Sequence, residues 1–161
     1  MSNDIVVKKG LDLRLTGAPS LEIDEAKYSK DFSVYPGDFH GVYPKLIVKE
    51  NDSVKAGEAL FFDKNSERVK FVSPVSGKIK EILRGERRKV LEIKIEPDKN
   101  ISYKKIEKLK SEEPNIIIDF LVENGLWPFI KQRPYDVIAN PNSNPKEIFI
   151  SGFDSSPLSA D

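Results

Sequence analysis

Leu91, Ile93 and Ile95 alternate with Glu92, Lys94 and Glu96, and nothing after Pro97 keeps that period. Side chains on a strand point alternately to opposite faces, so this stretch demands a sheet with one buried and one wet face. Shorter pieces before it read the same way. Leu11, Leu13 and Leu15 alternate with Asp12 and Arg14. Leu46-Ile47-Val48 is an apolar run, Val54 and Leu60 flank Gly57, and Val69, Phe71 and Val75 lead into Ser76-Gly77. Ile79 and Ile82 alternate imperfectly with Lys78, Lys80 and Glu81, and 84–88 reads as a charged hairpin turn. Pro36-Gly37-Asp38 and Glu50-Asn51-Asp52-Ser53 supply further turn chemistry.

Beyond Pro97 the spacing becomes helical. Ile106 and Leu109 predict a short helix over 103–110. Ser111-Glu112-Glu113-Pro114 predicts a helix start capped by Ser111, with acids at the positive end of the dipole. Ile117, Phe120, Leu121 and Asn124 then share a face, and Gly125 stands where a helix ends. Pro128, Pro134, Pro141 and Pro145 interrupt the following stretch. Ile148-Phe149-Ile150 reads as a buried strand of the parallel-sheet type. These patterns predict a mainly β module over 1–100 and a helix–loop–strand segment over 101–161 that opens an incomplete α/β domain, α+β overall. Either the second segment packs on the β module or it belongs to a domain completed elsewhere.

Composition narrows the chemistry. Lys plus Arg number 26 and Asp plus Glu number 26, which argues against charge-driven nucleic-acid binding. With no cysteine there is no disulfide, thiolate metal site, iron–sulfur ligation or thiol nucleophile. His40 is the one histidine, so no two-imidazole site arises within the chain. No apolar run approaches the ~18 residues a membrane span needs, and Met1-Ser2-Asn3-Asp4 lacks a signal-peptide pattern. The expectation is a soluble intracellular protein. Ser76, Ser155 and Ser156 have no recognisable base beside them. No nucleophile elbow, phosphate loop or HExxH is present.

The segment 47–60, with its acidic turn, Val54, Lys55, Gly57 and Leu60, resembles the first signature of biotinyl- and lipoyl-carrier domains. Ser73-Pro74-Val75-Ser76-Gly77-Lys78-Ile79 resembles the second. The resemblance implies a flattened β sandwich, the barrel-sandwich hybrid, over about residues 40–96. Val54, Leu60, Val75 and Ile79 then fill the core, and both glycines take positive φ where the strand reverses. Carriers hold their cofactor on a lysine about seven residues before the Ser-Pro pair. Here that position is Ser66, and Lys64 is the neighbouring lysine. Lipoylation or biotinylation of Lys64 is thus one reading and an unmodified structural hairpin the other.

A wider resemblance rests on Lys8-Lys9-Gly10-Leu11-Asp12-Leu13 with Gly17-Ala18-Pro19, Phe62-Asp63-Lys64-Asn65, and the 73–77 turn. Gly125-Leu126-Trp127, Arg133-Pro134 and the 154–161 tail with Pro157-Leu158 and Ala160-Asp161 extend it. On these blocks the chain resembles the N-terminal region of the A-subunit family of sodium-translocating NADH:quinone oxidoreductases. The resemblance implies that the second segment opens a nucleotide-fold-like (Rossmann-like) domain. It implies a peripheral protein on the cytoplasmic face of the bacterial inner membrane, partnered by the other subunits of the pump. It also implies an assembly role near the quinone end, no chemistry in this region alone, and no cofactor bound by it. Quinone and NADH belong to the whole complex.

More distantly, 121–161 resembles the region of related flavin-binding respiratory subunits in which a glycine-lined loop holds the flavin phosphate, 125–134 being the corresponding stretch. Only Gly125 remains of those glycines, and Pro128 and Pro134 have no N–H to donate. The expectation is a fold kept and a flavin site lost. Trp127, Phe129 and Arg133 are the quinone-proximal candidates, through stacking and a cationic donor. The competing expectation is that the aromatics anchor a loop and Arg133 pairs with a carboxylate. His40 is either a proton shuttle or an ordinary loop histidine. The basic stretch 78–89 faces either a partner, lipid headgroups or solvent.

Overall fold

A computed structural model describes residues 29–152 continuously, together with 6, 9, 16, 17, 20 and 22–25. The strand expected over 11–15 and the tail serines Ser155 and Ser156 fall outside the described residues. Residues 28–144 form one compact unit, and 145–161 group with residues 1–27 in another.

Seven strands build the first part of the larger unit. They are β1 (Phe32–Val34), β2 (Pro44–Leu46), β3 (Ser53–Val54), β4 (Ala59–Asp63), β5 (Ser66–Val72), β6 (Gly77–Arg84) and β7 (Val90–Pro97). One sheet has the order β1-β7-β6-β3 and the other β2-β4-β5, all neighbours antiparallel. Their inner faces share one core. Leu60, Phe61, Ile79, Ile93 and Ile95 are fully buried, with Val54, Val69, Phe71 and Val75 around them. Phe61 and Phe71 stack at 4.5 Å, and Phe39 meets Phe71 edge-on at the same distance. This is the flattened sandwich expected, with all four expected core residues inside it.

The imperfect alternation in β6 has a local cause. Ile79 pairs with Ile95 and Glu81 with Lys94, so Lys80 is the extra residue of a bulge. The bulge returns Ile82 to the core side and sends Lys80 to Asp31, 2.8 Å from its Oδ1. The glycines differ from expectation. Gly57 does take positive φ, 88°. Gly77 does not. A Cβ there would lie 2.0 Å from the Glu96 carbonyl oxygen, so the glycine is required by the close approach of β7.

After β7 the chain runs irregularly back across the module. Ala56 N–H donates to Ser102 O at 3.0 Å, and Lys104 N–H donates to Ala56 O at 2.8 Å. The buried Ser76 hydroxyl accepts the Ser102 N–H at 2.9 Å. These extended-chain bonds replace the helix expected over 103–110, where a short Lys/Glu-rich segment has little stability of its own. The next helix, α1 (Pro114–Glu123), forms as expected, but Glu113 occupies the N-cap and Ser111 instead accepts the Glu113 N–H at 3.2 Å. Its packed face is Ile118, Leu121 and Val122, rotated from the expected one because it lies along β5.

A 3₁₀ turn (Trp127–Phe129) and the hairpin β8 (Lys131–Gln132) and β9 (Val137–Ile138) complete the unit. Ile148, Phe149 and Ile150 do not form the expected buried strand. They are 77%, 85% and 87% exposed, and no described strand pairs with them. Without a neighbour to take its N–H and C=O groups, a strand has no ladder to join.

Candidate functional site

The end of α1 sets up the region that holds the expected site residues. Gly125 has φ 70°. Leu126 N–H bonds Leu121 O at 2.9 Å and Gly125 N–H bonds Val122 O at 3.3 Å, a Schellman closure. Lys104 brings its ammonium to Glu123 O and Asn124 Oδ1, placing a cation at the negative end of the helix. A Cβ on Gly125 would lie 2.3 Å from Val72 Cγ1. Gly125 is thus required where α1 seats on β5.

The three quinone-proximal candidates separate. Trp127 is buried at 7% exposure, and its Nε1–H donates to Ala139 O at 2.7 Å. Ala139 N–H returns to Ile130 O at 2.9 Å, so the indole and the β8–β9 hairpin lock each other. Phe129 is turned outward, 77% exposed. Arg133 is exposed near the tip of the β8–β9 hairpin and forms no ion pair among the described residues. Around them Leu126, Ile130 and Tyr135 are also exposed, Tyr135 at 72%. Sequence reasoning missed Tyr135 and Leu126. Tyr135 follows Pro134 in a turn-rich stretch, where an aromatic has few neighbours to cover it. The outcome is a stretch over 126–135 in which Leu126, Phe129, Ile130, Lys131, Arg133 and Tyr135 are exposed while the Trp127 indole is buried and anchored.

Lys64 stands at the second place of interest. The β4–β5 hairpin turns through Lys64 and Asn65, and Lys64 is exposed. The turn is tightly made. Asp63 Oδ1 accepts from Tyr43 N–H at 3.0 Å and Asn65 N–H at 3.2 Å, while Lys64 N–H donates to Tyr43 O at 2.9 Å. Ser66, the position picked by counting, pairs with Asp63 at the start of β5 and is not at the tip.

His40 is exposed in the turn after the 3₁₀ segment Pro36–Asp38. Ser76 is fully buried, with its hydroxyl engaged by Ser102. The basic stretch 78–89 divides: Lys78 lies at the start of β6 opposite Glu96, Lys80 is paired with Asp31, whose hydrogen bond holds its ammonium pKa above the ordinary lysine value, and Arg84, Arg87, Arg88 and Lys89 gather at the β6–β7 turn. An open groove of about 400 Å³ beside Lys80, Asp31 and Glu96 is lined largely by charged side chains, the wrong character for an apolar ring. Among the described residues no acid or histidine cluster can hold a metal ion, and no helix is long and apolar enough to cross a membrane.

Comparison with known proteins adds to this geometry. The family model for the NqrA N-terminal barrel-sandwich hybrid domain matches residues 5–98, and that for the NqrA second alpha/beta domain matches residues 112–161. The A subunit of the Na(+)-translocating NADH-quinone reductase of Marinomonas sp. is 40% identical over 158 residues, 96% of this chain and 36% of the relative. The protein of the same name from Saccharophagus degradans is 37% identical over 162 residues, and that from Pseudomonas aeruginosa 34%. Each match covers 98% of this chain and 36% of the relative. The chain thus spans about a third of the length of these relatives.

Proposed function

The chain belongs to the NqrA family, and from that premise we propose that it serves as the N-terminal region of the peripheral NqrA protein of a sodium-translocating NADH:quinone oxidoreductase. Its work there is assembly. The rigid β module carries α1 and the β8–β9 hairpin, and these offer Phe129, Tyr135 and Arg133 to another pump protein at the quinone side. It binds no cofactor of its own and does no chemistry alone. The full-length protein sits on the cytoplasmic face of the bacterial inner membrane.

The observation that carries this reading is the separation of Trp127 from Phe129. One aromatic is spent on anchoring the loop, and the next one is left 77% exposed on the 3₁₀ turn, four residues before an exposed arginine that forms no ion pair among the described residues. Exposed aromatics with an adjacent arginine have the composition of an interface centre.

The test is Phe129→Ala with Arg133→Ala in the full-length protein, expressed in membranes that contain the rest of the pump. The expected result is reduced co-purification of the variant with its partners. Normal assembly with a raised KM for quinone places the same residues at the quinone instead. Unchanged assembly and unchanged KM contradict both.

One observation favours a second reading. Lys64 is exposed at a two-residue hairpin tip of a sandwich resembling carrier domains. A lipoyl or biotinyl mass added to the 18.2 kDa chain, produced in a host with the ligases, establishes that reading. An unmodified mass removes it.

A further inference from the structure

The β6–β7 turn carries a feature that neither the core nor the aromatic surface uses. Arg84, Arg87, Arg88 and Lys89 crowd its tip against a single acid, Glu86. All four cations are exposed, and none forms an ion pair among the described residues. The acids further back are already engaged. Glu92 accepts from the Ser33 hydroxyl at 2.6 Å and the Tyr35 hydroxyl at 3.3 Å, and Glu81 meets Lys94. In a chain with zero net charge, positive charge is therefore concentrated at this tip.

The backbone sharpens the point. Arg87 and Arg88 both have positive φ, 52° and 61°. Glycine or asparagine would take these conformations at less cost, so the turn itself gives no reason for arginine. The loop is nevertheless firmly closed, by Gly85 N–H to Lys89 O at 2.8 Å and Arg84 Nη1 to Arg88 O at 3.3 Å. Strained backbone held in a closed loop commonly marks a working surface. Just behind the cations, on the two strands, Leu83 and Leu91 are 45% and 41% exposed.

We propose that this tip docks on an anionic phospholipid surface, with Arg87, Arg88 and Lys89 among the headgroups and Leu83 and Leu91 at the interfacial level. The leucines favour lipid over an acidic protein segment, because cations backed by apolar side chains match the layering of headgroups above acyl chains. The inference does not need the assembly reading. Vesicle binding tests the hairpin alone, whereas assembly of the pump tests the other proposal.

The experiment is sedimentation of the chain with vesicles of phosphatidylcholine containing about one-third phosphatidylglycerol, against vesicles of phosphatidylcholine only, at low salt. Arg87→Asn, Arg88→Asn and Lys89→Gln are combined in one variant, asparagine being chosen because it tolerates the backbone. The wild-type chain is expected to bind the anionic vesicles only. The variant is expected to lose on the order of 100-fold in partition, about fivefold per cation, with unchanged circular dichroism and a Tm no lower than that of the wild type. Leu83→Ser with Leu91→Ser is expected to weaken binding to the anionic vesicles as well. The proposal is overturned by equal binding to neutral vesicles, by undiminished binding of either variant, or by no vesicle binding at all. Retention on immobilised polyglutamate without vesicle binding also overturns it and makes the tip a site for acidic protein.

Discussion

Along the β6–β7 ladder, Ile79, Ile93 and Ile95 are fully buried, and each contributes to a core shared with the facing sheet. Past Pro97 the chain is held differently. It buries Val122 and Trp127, packs Ile101, Ile118, Leu121, Ile138 and Ala139 only partly against the core, and adds polar and steric contacts: Ser102 on Ser76, Ala56 between Ser102 and Lys104, Gly125 against Val72, and Arg68 with Asp119 and Asn142. Ile79, Ile93 and Ile95 of the ladder are wholly covered, whereas most side chains of the later segment that reach the core are only partly covered. That economy leaves Phe129 and Tyr135 uncovered on a fixed frame. A surface of this kind can dock a partner without refolding.

The contrast can be broken in graded steps. Gly77→Ala has the largest expected effect. Its Cβ meets the backbone of Glu96, which cannot move without disturbing β7. A loss of about 3–5 kcal/mol is expected in chemical denaturation, with the whole unit weakened. Gly125→Ala comes next, at roughly 2–3 kcal/mol, because it adds a clash with Val72 to a positive φ. The double variant with Val72→Ala sharpens the point. It removes the partner of the clash but adds a cavity of its own, so a double-mutant cycle should show favourable coupling between the two sites. Simple additivity would mean that α1 is not seated as described.

Trp127→Phe keeps an aromatic ring and leaves the Ala139 carbonyl without its donor. About 1–2 kcal/mol is expected, accompanied by faster hydrogen exchange in β8 and β9 but not in β7. Equal acceleration in β7 would show that the segment and the ladder are one cooperative body. The smallest effect belongs to Lys80 and Asp31. The hydrogen bond to Asp31 raises the Lys80 pKa in the folded chain, so its stabilisation is present below the ordinary lysine value and lost as pH rises through the raised one. The Tm difference between the wild type and Asp31→Asn should be steady across neutral pH and fade above about pH 10.

The ladder was the easiest part to read in the sequence, although only Ile93 and Ile95 of the alternating residues are buried: a register shift between Leu83 and Arg84 puts Val90 inside and leaves Leu91 41% exposed. The bulge at Lys80 was visible only as a flaw in that pattern. Gly57 and Gly77 were both recognisable as required glycines. The reason for Gly77 was not recognisable, since the approach of Glu96 depends on pairing across the sheet. The extended path over 101–104 was hidden for a similar reason. Its hydrogen bonds go to Ala56 and Ser76, far away in sequence, and they outweigh a weak helical spacing. The site was half legible. Trp127, Phe129 and Arg133 stood out as residue types, but which aromatic turns inward depends on where the Ala139 carbonyl lies. Nothing local to Trp127 encodes that.

Presentation of Phe129, Tyr135 and Arg133 for docking within the pump is tested most directly with Phe129→Ala/Tyr135→Ala in the full-length NqrA protein. The measurement is the amount of NqrA retained in the purified membrane complex, with the Tm of the free protein as a control. A complex depleted several-fold in NqrA, at unchanged Tm, is the predicted result. Full occupancy of the complex at unchanged Tm would contradict this role for the aromatic surface.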